Sequence, residues 1–295
     1  MLNKDLNLHA MKDLKNLLLG ALMATGAALS APVSAQTVLD GAYIKEHTKT
    51  QRVVPYTYIR EADVMWFRRV WREIDLREKI NHTLYFPTEP INDRKSLFDV
   101  IKQGLLVDGS ITAYDVGPVG QDDEFKKPLL ANQLKDIFVR MDTSFTEDLA
   151  TGEMVPVYQQ IELSGGDIKK YRLKEDWIFD RQRSTMDIRI IGLAPMKEMK
   201  GEDGEVRGYA PLFWLYFPEL RYVLVNWDVF NRENDAERRS FDHVFWTREF
   251  SSQIIKWSNV YNRQISEYKT GIDGLLEGEE IKSALFEYEH DLWNF

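Results

Sequence analysis

Lys169-Lys170-Tyr171-Arg172-Leu173-Lys174-Glu175-Asp176-Trp177-Ile178-Phe179 leads through Asp180-Arg181-Gln182-Arg183-Ser184 into a second apolar run, Met186 to Leu193, which carries Ile188-Arg189-Ile190-Ile191. Two apolar runs joined by a polar five-residue link read as a β-hairpin. The neighbouring segments extend this β-rich middle. Upstream, Val155 to Leu163 reads as a strand and Ser164-Gly165-Gly166-Asp167 as a loop. Downstream, Gly201 to Gly208 is rich in glycine and charge and reads as a hairpin tip. It feeds Leu212 to Phe217, a strongly apolar strand.

Helical spacing flanks this middle. From Glu61 to Asn81, Val64, Phe67, Val70, Trp71 and Ile74 recur at three- and four-residue steps behind Asp63, which predicts a capped helix. Arg68, Arg69 and Arg72 alternate with Glu73, Asp75 and Glu78, as helix ion pairs do. Residues 93–106 predict a second helix and Leu130 to Arg140 a third. Between them Ile111 to Val116 reads as a short strand, and Gly117 to Pro128 as a loop. Past Pro218, Arg221 to Phe230 predicts a helix. Asp235 to Tyr268 predicts a long amphipathic helix ended by Gly271-Ile272-Asp273-Gly274, and Glu279 to Trp293 a final one. The expected fold is α+β: a central, mainly antiparallel sheet flanked by N-terminal and C-terminal helices, in a single domain over 61–295.

The first 60 residues read differently. Lys4, Lys12 and Lys15 precede an apolar run from Leu17 to Ala31, which suits a secretory signal and is short for a membrane span of about 20 residues. Val33 and Ala35 place small residues where signal peptidase reads, so cleavage is expected between Ala35 and Gln36. The start is Met1 or Met11, since Met11 to Ala35 is a complete signal by itself. Residues 36–60 are polar and irregular, with Pro55, and read as an N-terminal arm. Removing residues 1–35 takes away three Lys and two Asp, moving the formal charge from −9 to −10. Such an acidic chain is a poor partner for nucleic acid. With no Cys, an exported chain gains no disulfides, and it has no cysteine to carry a lipid anchor. No later segment is apolar enough to span a membrane.

Motifs for chemistry are sparse. His47, His82, His243 and His290 are far apart and show no ligand spacing. No G-x-S-x-G elbow and no phosphate loop occurs, and neither metal nor cofactor is expected. Asp122-Asp123-Glu124 lacks the alternation of a calcium loop and reads as a solvated turn. Glu175-Asp176 beside Trp177 is the nearest approach to a glycosidase pair, and a strand with alternating faces explains it better. The richest segment holds Trp66, Arg69, Trp71 and Arg72. Trp and Arg are enriched in binding hot spots, which makes these four a candidate protein interface. By spacing alone, buried tryptophans with locally paired arginines fit as well, and so does Arg stacked on Trp.

Three blocks resemble a known family. Asp63-Val64-Met65-Trp66 with Arg69-Val70-Trp71-Arg72-Glu73-Ile74-Asp75-Leu76-Arg77-Glu78-Lys79 is similar to the opening motif of the gliding-motility GldN family, also called PorN. Glu175 to Asp180 with Met186 to Pro195 resembles its central block, and Phe213-Trp214-Leu215-Tyr216-Phe217-Pro218-Glu219-Leu220-Arg221 its third. The resemblance implies a non-enzymatic, periplasmic subunit of the type IX secretion system of Bacteroidota, self-associating in a ring and serving surface motility in gliding species. It also implies two partners: an outer-membrane lipoprotein of the GldK/PorK type, and the periplasmic part of an inner-membrane motor complex. The competing expectation, from the many Asp, Glu, Trp and Tyr residues alone, is a periplasmic carboxylate-based hydrolase acting on envelope glycan.

Overall fold

The computed structural model describes residues 51–291 apart from 92–93, 119, 121, 148–153, 202–204, 232–233 and 235–237. The signal segment, its cleavage point at Ala35–Gln36, and the arm up to residue 50 lie outside the described residues. The strands are β1 (Val64–Asp75), β2 (Ala113–Tyr114), β3 (Val139–Glu147), β4 (Met154–Glu162), β5 (Ile168–Asp180), β6 (Thr185–Lys200), β7 (Val206–Pro211), β8 (Trp214–Tyr216) and β9 (Gln253–Trp257). The helices are α1 (His82–Tyr85), α2 (Leu97–Leu106), α3 (Ala131–Phe138), α4 (Phe217–Leu224), α5 (Phe241–Thr247) and α6 (Ile272–Asp291). The fold is α+β, as expected. A seven-stranded antiparallel sheet runs β2-β8-β6-β5-β1-β9, with β7 also on β6, and β3 and β4 form a separate ribbon.

The hairpin is β5–β6, paired from Asp180↔Thr185 back to Ile168↔Lys197. Its turn is held by Asp180, whose carboxylate accepts from the Gln182 backbone N–H at 2.8 Å and from Arg183 Nε at 2.6 Å. Ser184 closes the link in the left-handed region, at φ 51°. A bulge between Lys174 and Glu175 lets Gly192 sit opposite Lys174. A Cβ at Gly192 would meet Phe125 at 2.7 Å and Trp214 at 3.1 Å, so only glycine admits those rings.

One expected helix is a strand, and a second is helical only in part. The segment 64–75 is β1, paired with β5 along its whole length and with β9 over Val70–Glu73. The helical reading fails for a physical reason. Val, Ile, Phe and Trp dominate the segment, and these residues favour a pleated surface. Because helices or loops cover both faces of its middle, Val70, Trp71 and Arg72 are buried in succession, which blurs the two-residue period of an ordinary strand. The long helix expected over 235–268 is likewise cut short. α5 ends at Arg248, whose φ of 58° is left-handed, and the chain then enters β9. The 271–274 segment opens α6 instead of ending a helix, so the last helix begins earlier than the expected Glu279.

Two apolar layers share one face of the sheet. The larger joins Tyr171, Leu173, Leu193 and Leu215 of the strands to Phe98 and Ile101 of α2, Phe138 of α3, Leu220 of α4 and Phe241 and Phe245 of α5. The smaller lies under α6, where Ile281 and Leu285 meet Val70, Trp177 and Ile254. Gly278, on the same helical stripe, brings α6 down on β9, since a Cβ there would lie 2.9 Å from the Ile254 carbonyl oxygen. On the opposite face, Trp71, Ala194 and Trp214 are covered by Tyr114, Val116 and Phe125 of the 113–128 segment.

Two strand ends carry acid-labile ties. Hydrogen bonds from Arg77 to Asp75 and from Arg183 to Asp180 hold both carboxyls below their ordinary values. A carboxyl depressed on folding stabilises the native state fully above its unfolded value of about 4 and loses that contribution as pH falls through the folded value. Melting temperature is therefore expected to drop between pH 5 and pH 3. The Asp75→Asn, Asp180→Asn double variant should melt lower at pH 6 and lose less on acidification; an unchanged pH slope would contradict the assignment.

Candidate functional site

Strand geometry divides the four candidate interface residues between the two faces of β1. Trp66 and Arg72 turn toward α6. Trp66 stacks on Tyr288 at 4.8 Å, and Arg72, only 7% exposed, donates to Ser252 Oγ at 2.9 Å and to the Ser252 carbonyl at 3.2 Å. Arg69 and Trp71 turn to the opposite face. Arg69 grips Asp176 bidentately at 2.6 and 2.9 Å, and Trp71 is buried. The segment thus presents no single Trp/Arg surface; its charges pair across strands and not along a helix.

The cross-strand pairs form a ladder on the Arg69 face. Register places Arg69 opposite Asp176, Glu73 opposite Arg172 and Asp75 opposite Lys170. Glu73 accepts from Arg172 at 2.7 Å and from Lys170 at 3.3 Å. Opposite charges facing each other across antiparallel strands contribute about 0.2–1 kcal/mol each. Lys174 stands opposite Trp71 and finds its anion in Asp123, 3.3 Å away. Trp71 Nε1 donates to the same carboxylate at 2.5 Å. Burial pushes the Lys174 pKa down and Asp123 pulls it back up. The acidic run 122–124, expected to be a solvated turn, instead latches its loop to the sheet through Asp123.

The α6 face uses its charges differently. Glu175 is fully buried and accepts from Arg248 at 2.8 and 3.1 Å and from Trp177 Nε1 at 3.2 Å. Neighbouring Glu175 and Asp176 therefore point to opposite faces, each committed to an arginine. Two elements away, Arg221 of α4 and Asp242 of α5 form a buried bidentate pair at 2.7 and 3.1 Å. Arg221 also lies 4.6 Å from the ring of Tyr56 and 4.9 Å from that of Trp246, which stack on each other. Tyr56 is thereby pinned to the domain, and with it the last part of the segment read as an arm. Burial raises the Tyr56 pKa.

A surface that the sequence pattern did not single out lies between β9 and α6. Val260 is 97% exposed, Tyr261 73% and Ile272 75%, and Tyr268, Leu275 and Leu276 are exposed beside them. Arg263 lies over Tyr261 at 4.4 Å and over Tyr268 at 5.8 Å, while the Tyr268 hydroxyl donates to Glu277 of α6 at 3.3 Å. These contacts draw the loop and the first turns of α6 into one patch of aliphatic side chains, tyrosines and an arginine. The sequence pattern put Val260, Tyr261 and Tyr268 in a helix ending near Tyr268 and left Ile272, Leu275 and Leu276 between elements.

The model of a protein family described as "Gliding motility associated protein GldN" matches residues 59–294 of the chain. No curated protein matches it.

Burial separates the two arginines experimentally. Arg72→Glu puts a carboxylate beside buried Glu175 and is expected to cost about 3 kcal/mol or more. Arg69→Glu, where the guanidinium is 36% exposed although its partner Asp176 is buried, should cost less, about 2 kcal/mol. Urea denaturation of both variants checks the order; equal losses would show that the two faces are energetically alike.

Proposed function

The chain belongs to the GldN family of gliding motility associated proteins, and from that premise we propose that it is a non-enzymatic structural subunit of the periplasmic ring complex of the type IX secretion system. Family membership implies involvement in gliding motility or type IX secretion. On our reading the chain works in the periplasm beside the outer membrane and repeats around a ring. It is held there by a lipoprotein of the GldK/PorK type and contacts the motor complex anchored in the inner membrane. No helix among the described residues is long and apolar enough to cross a membrane. That agrees with attachment through a partner.

The observation that carries a binding role is the exposed patch from Val260 to Leu276. Large contiguous apolar surface rimmed by polar groups marks interaction sites, and Tyr and Arg are common binding anchors. The hydrolase reading has less support. A glycosidase pair needs two carboxyl groups facing one substrate, one of them free to hold a proton. Here the buried carboxylates Glu175, Asp176, Asp180 and Asp242 are each tied to an arginine, so these four are committed to ion pairs within the fold.

Replacing exposed apolar side chains separates binding from folding. The Tyr261→Ser, Leu275→Asp double variant is expected to keep its melting temperature within about 2 °C, since surface substitutions change stability little. In the native envelope it should recover at least tenfold less lipoprotein on affinity purification. Full co-purification would refute this patch as the docking surface. A wild-type chain that runs as a free monomer with no lipoprotein would refute the structural role itself.

A further inference from the structure

A groove of about 690 Å³ runs between the sheet and α6, apart from the exposed patch. Its floor holds Arg72, Trp177 and Arg248, one wall Phe250, and the other Phe286 of α6. The volume suits a drug-sized molecule or a few residues of extended peptide.

Charge is layered through its depth. At the floor, Arg72 and Arg248 face one carboxylate, Glu175, and Arg248 takes both oxygens of that carboxylate. Arg72 is left with the hydroxyl and carbonyl of Ser252, and no carboxylate lies within ion-pair distance of it among the described residues. A guanidinium removed from water with no carboxylate in contact is costly, and Glu175 and Glu279 act on this one only from beyond ion-pair distance. Burial pushes the Arg72 pKa down, in keeping with that cost. The rim has the opposite sign. Glu287 and Glu289 line the open side, and Glu279 is drawn 3.2 Å from Lys282. Apolar surface lies between these layers: Trp177 and Phe250 are buried, whereas Phe286 is 68% exposed. Arg248 is fixed in place by its left-handed backbone, which caps α5 through an N–H bond to the Val244 carbonyl. The floor is therefore preorganised, not formed on binding.

We propose that this groove binds an extended peptide segment of a partner protein, seating an acidic side chain on Arg72, an adjacent aromatic ring between Trp177 and Phe286, and a basic neighbour at the Glu287–Glu289 rim. Arg72 spends Nε and an Nη2 hydrogen on Ser252, which leaves its Nη1 edge for a carboxylate, and the order basic-aromatic-acidic follows the charge layering from rim to floor. The rim acids disfavour segments that carry acid alone, which gives selectivity as well as affinity.

The test uses the full chain and three blocked peptides: acetyl-Lys-Phe-Asp-amide, acetyl-Lys-Phe-Asn-amide and acetyl-Gln-Phe-Asp-amide. Titration is followed through the indole N–H signal of Trp177 in protein carrying ¹⁵N-tryptophan. The Lys-Phe-Asp peptide is expected to shift that signal and to bind at least tenfold tighter than the Asn peptide and severalfold tighter than the Gln peptide. Arg72→Gln should erase the Asp-over-Asn preference while Arg69→Gln, on the other face, preserves it. Phe286→Ala, an exposed position that leaves folding intact, should weaken all three peptides. Equal binding of the Asp and Asn peptides, a preference that survives Arg72→Gln, or indifference to Phe286→Ala would overturn the proposal.

Discussion

Strand β1 lies between β5 and β9, and its pairing with β5 joins the chain's first described strand to its central hairpin. Both apolar layers on the helix-covered face need that pairing. Ile74 enters the layer under α2 to α5, and Val70 enters the one under α6. Trp71 supplies the third layer, on the reverse face. The ladder of Arg69 with Asp176 and Glu73 with Arg172 fixes register, because a one-residue slip would exchange the two faces and bury the ladder. β1 therefore organises the sheet from both sides at once, with apolar contacts supplying stability and charges supplying alignment.

That dual use explains what could be read from the amino acids alone. The β5–β6 hairpin was legible because its two apolar runs and polar link follow local rules. α2 announced itself through spacing, and Pro218 marked the start of α4, which ends at Leu224 and not at the expected Phe230. β1 was not legible, because a strand buried on both faces loses its alternation, and Val64, Phe67, Val70, Trp71 and Ile74 happen to fit a helical stripe. Its arginines looked like partners of acids three and four residues away, while Arg69 and Arg72 in fact pair with groups far along the chain. β9 was hidden in the same way, because Phe250, Ile254 and Trp257 mimic a helix and only the left-handed turn at Arg248 breaks it. The candidate site was legible in residue type and not in placement. Trp66, Arg69, Trp71 and Arg72 matter to the fold, yet they do not share a surface.

The functional reading follows from where charge and apolar area are left over. Within the sheet, carboxylates are matched by arginines, which makes a rigid frame. The surplus lies along α6 and the loop before it: exposed aliphatic and tyrosine side chains at one end and, beneath its middle, a guanidinium with no carboxylate at ion-pair distance among the described residues. A frame with unspent binding groups on one side suits the assembly role proposed for it. Membership of the GldN family supplies the setting, a machine for secretion or gliding.

Hydrogen exchange of the purified chain, compared with the chain in the envelope complex proposed for it, tests this division most directly. The account predicts that β1 amides around Val70 exchange among the slowest in both samples, and that residues 259–276 gain protection only in the complex. Fast exchange throughout β1, or protection at 259–276 that is the same in both samples, would contradict it.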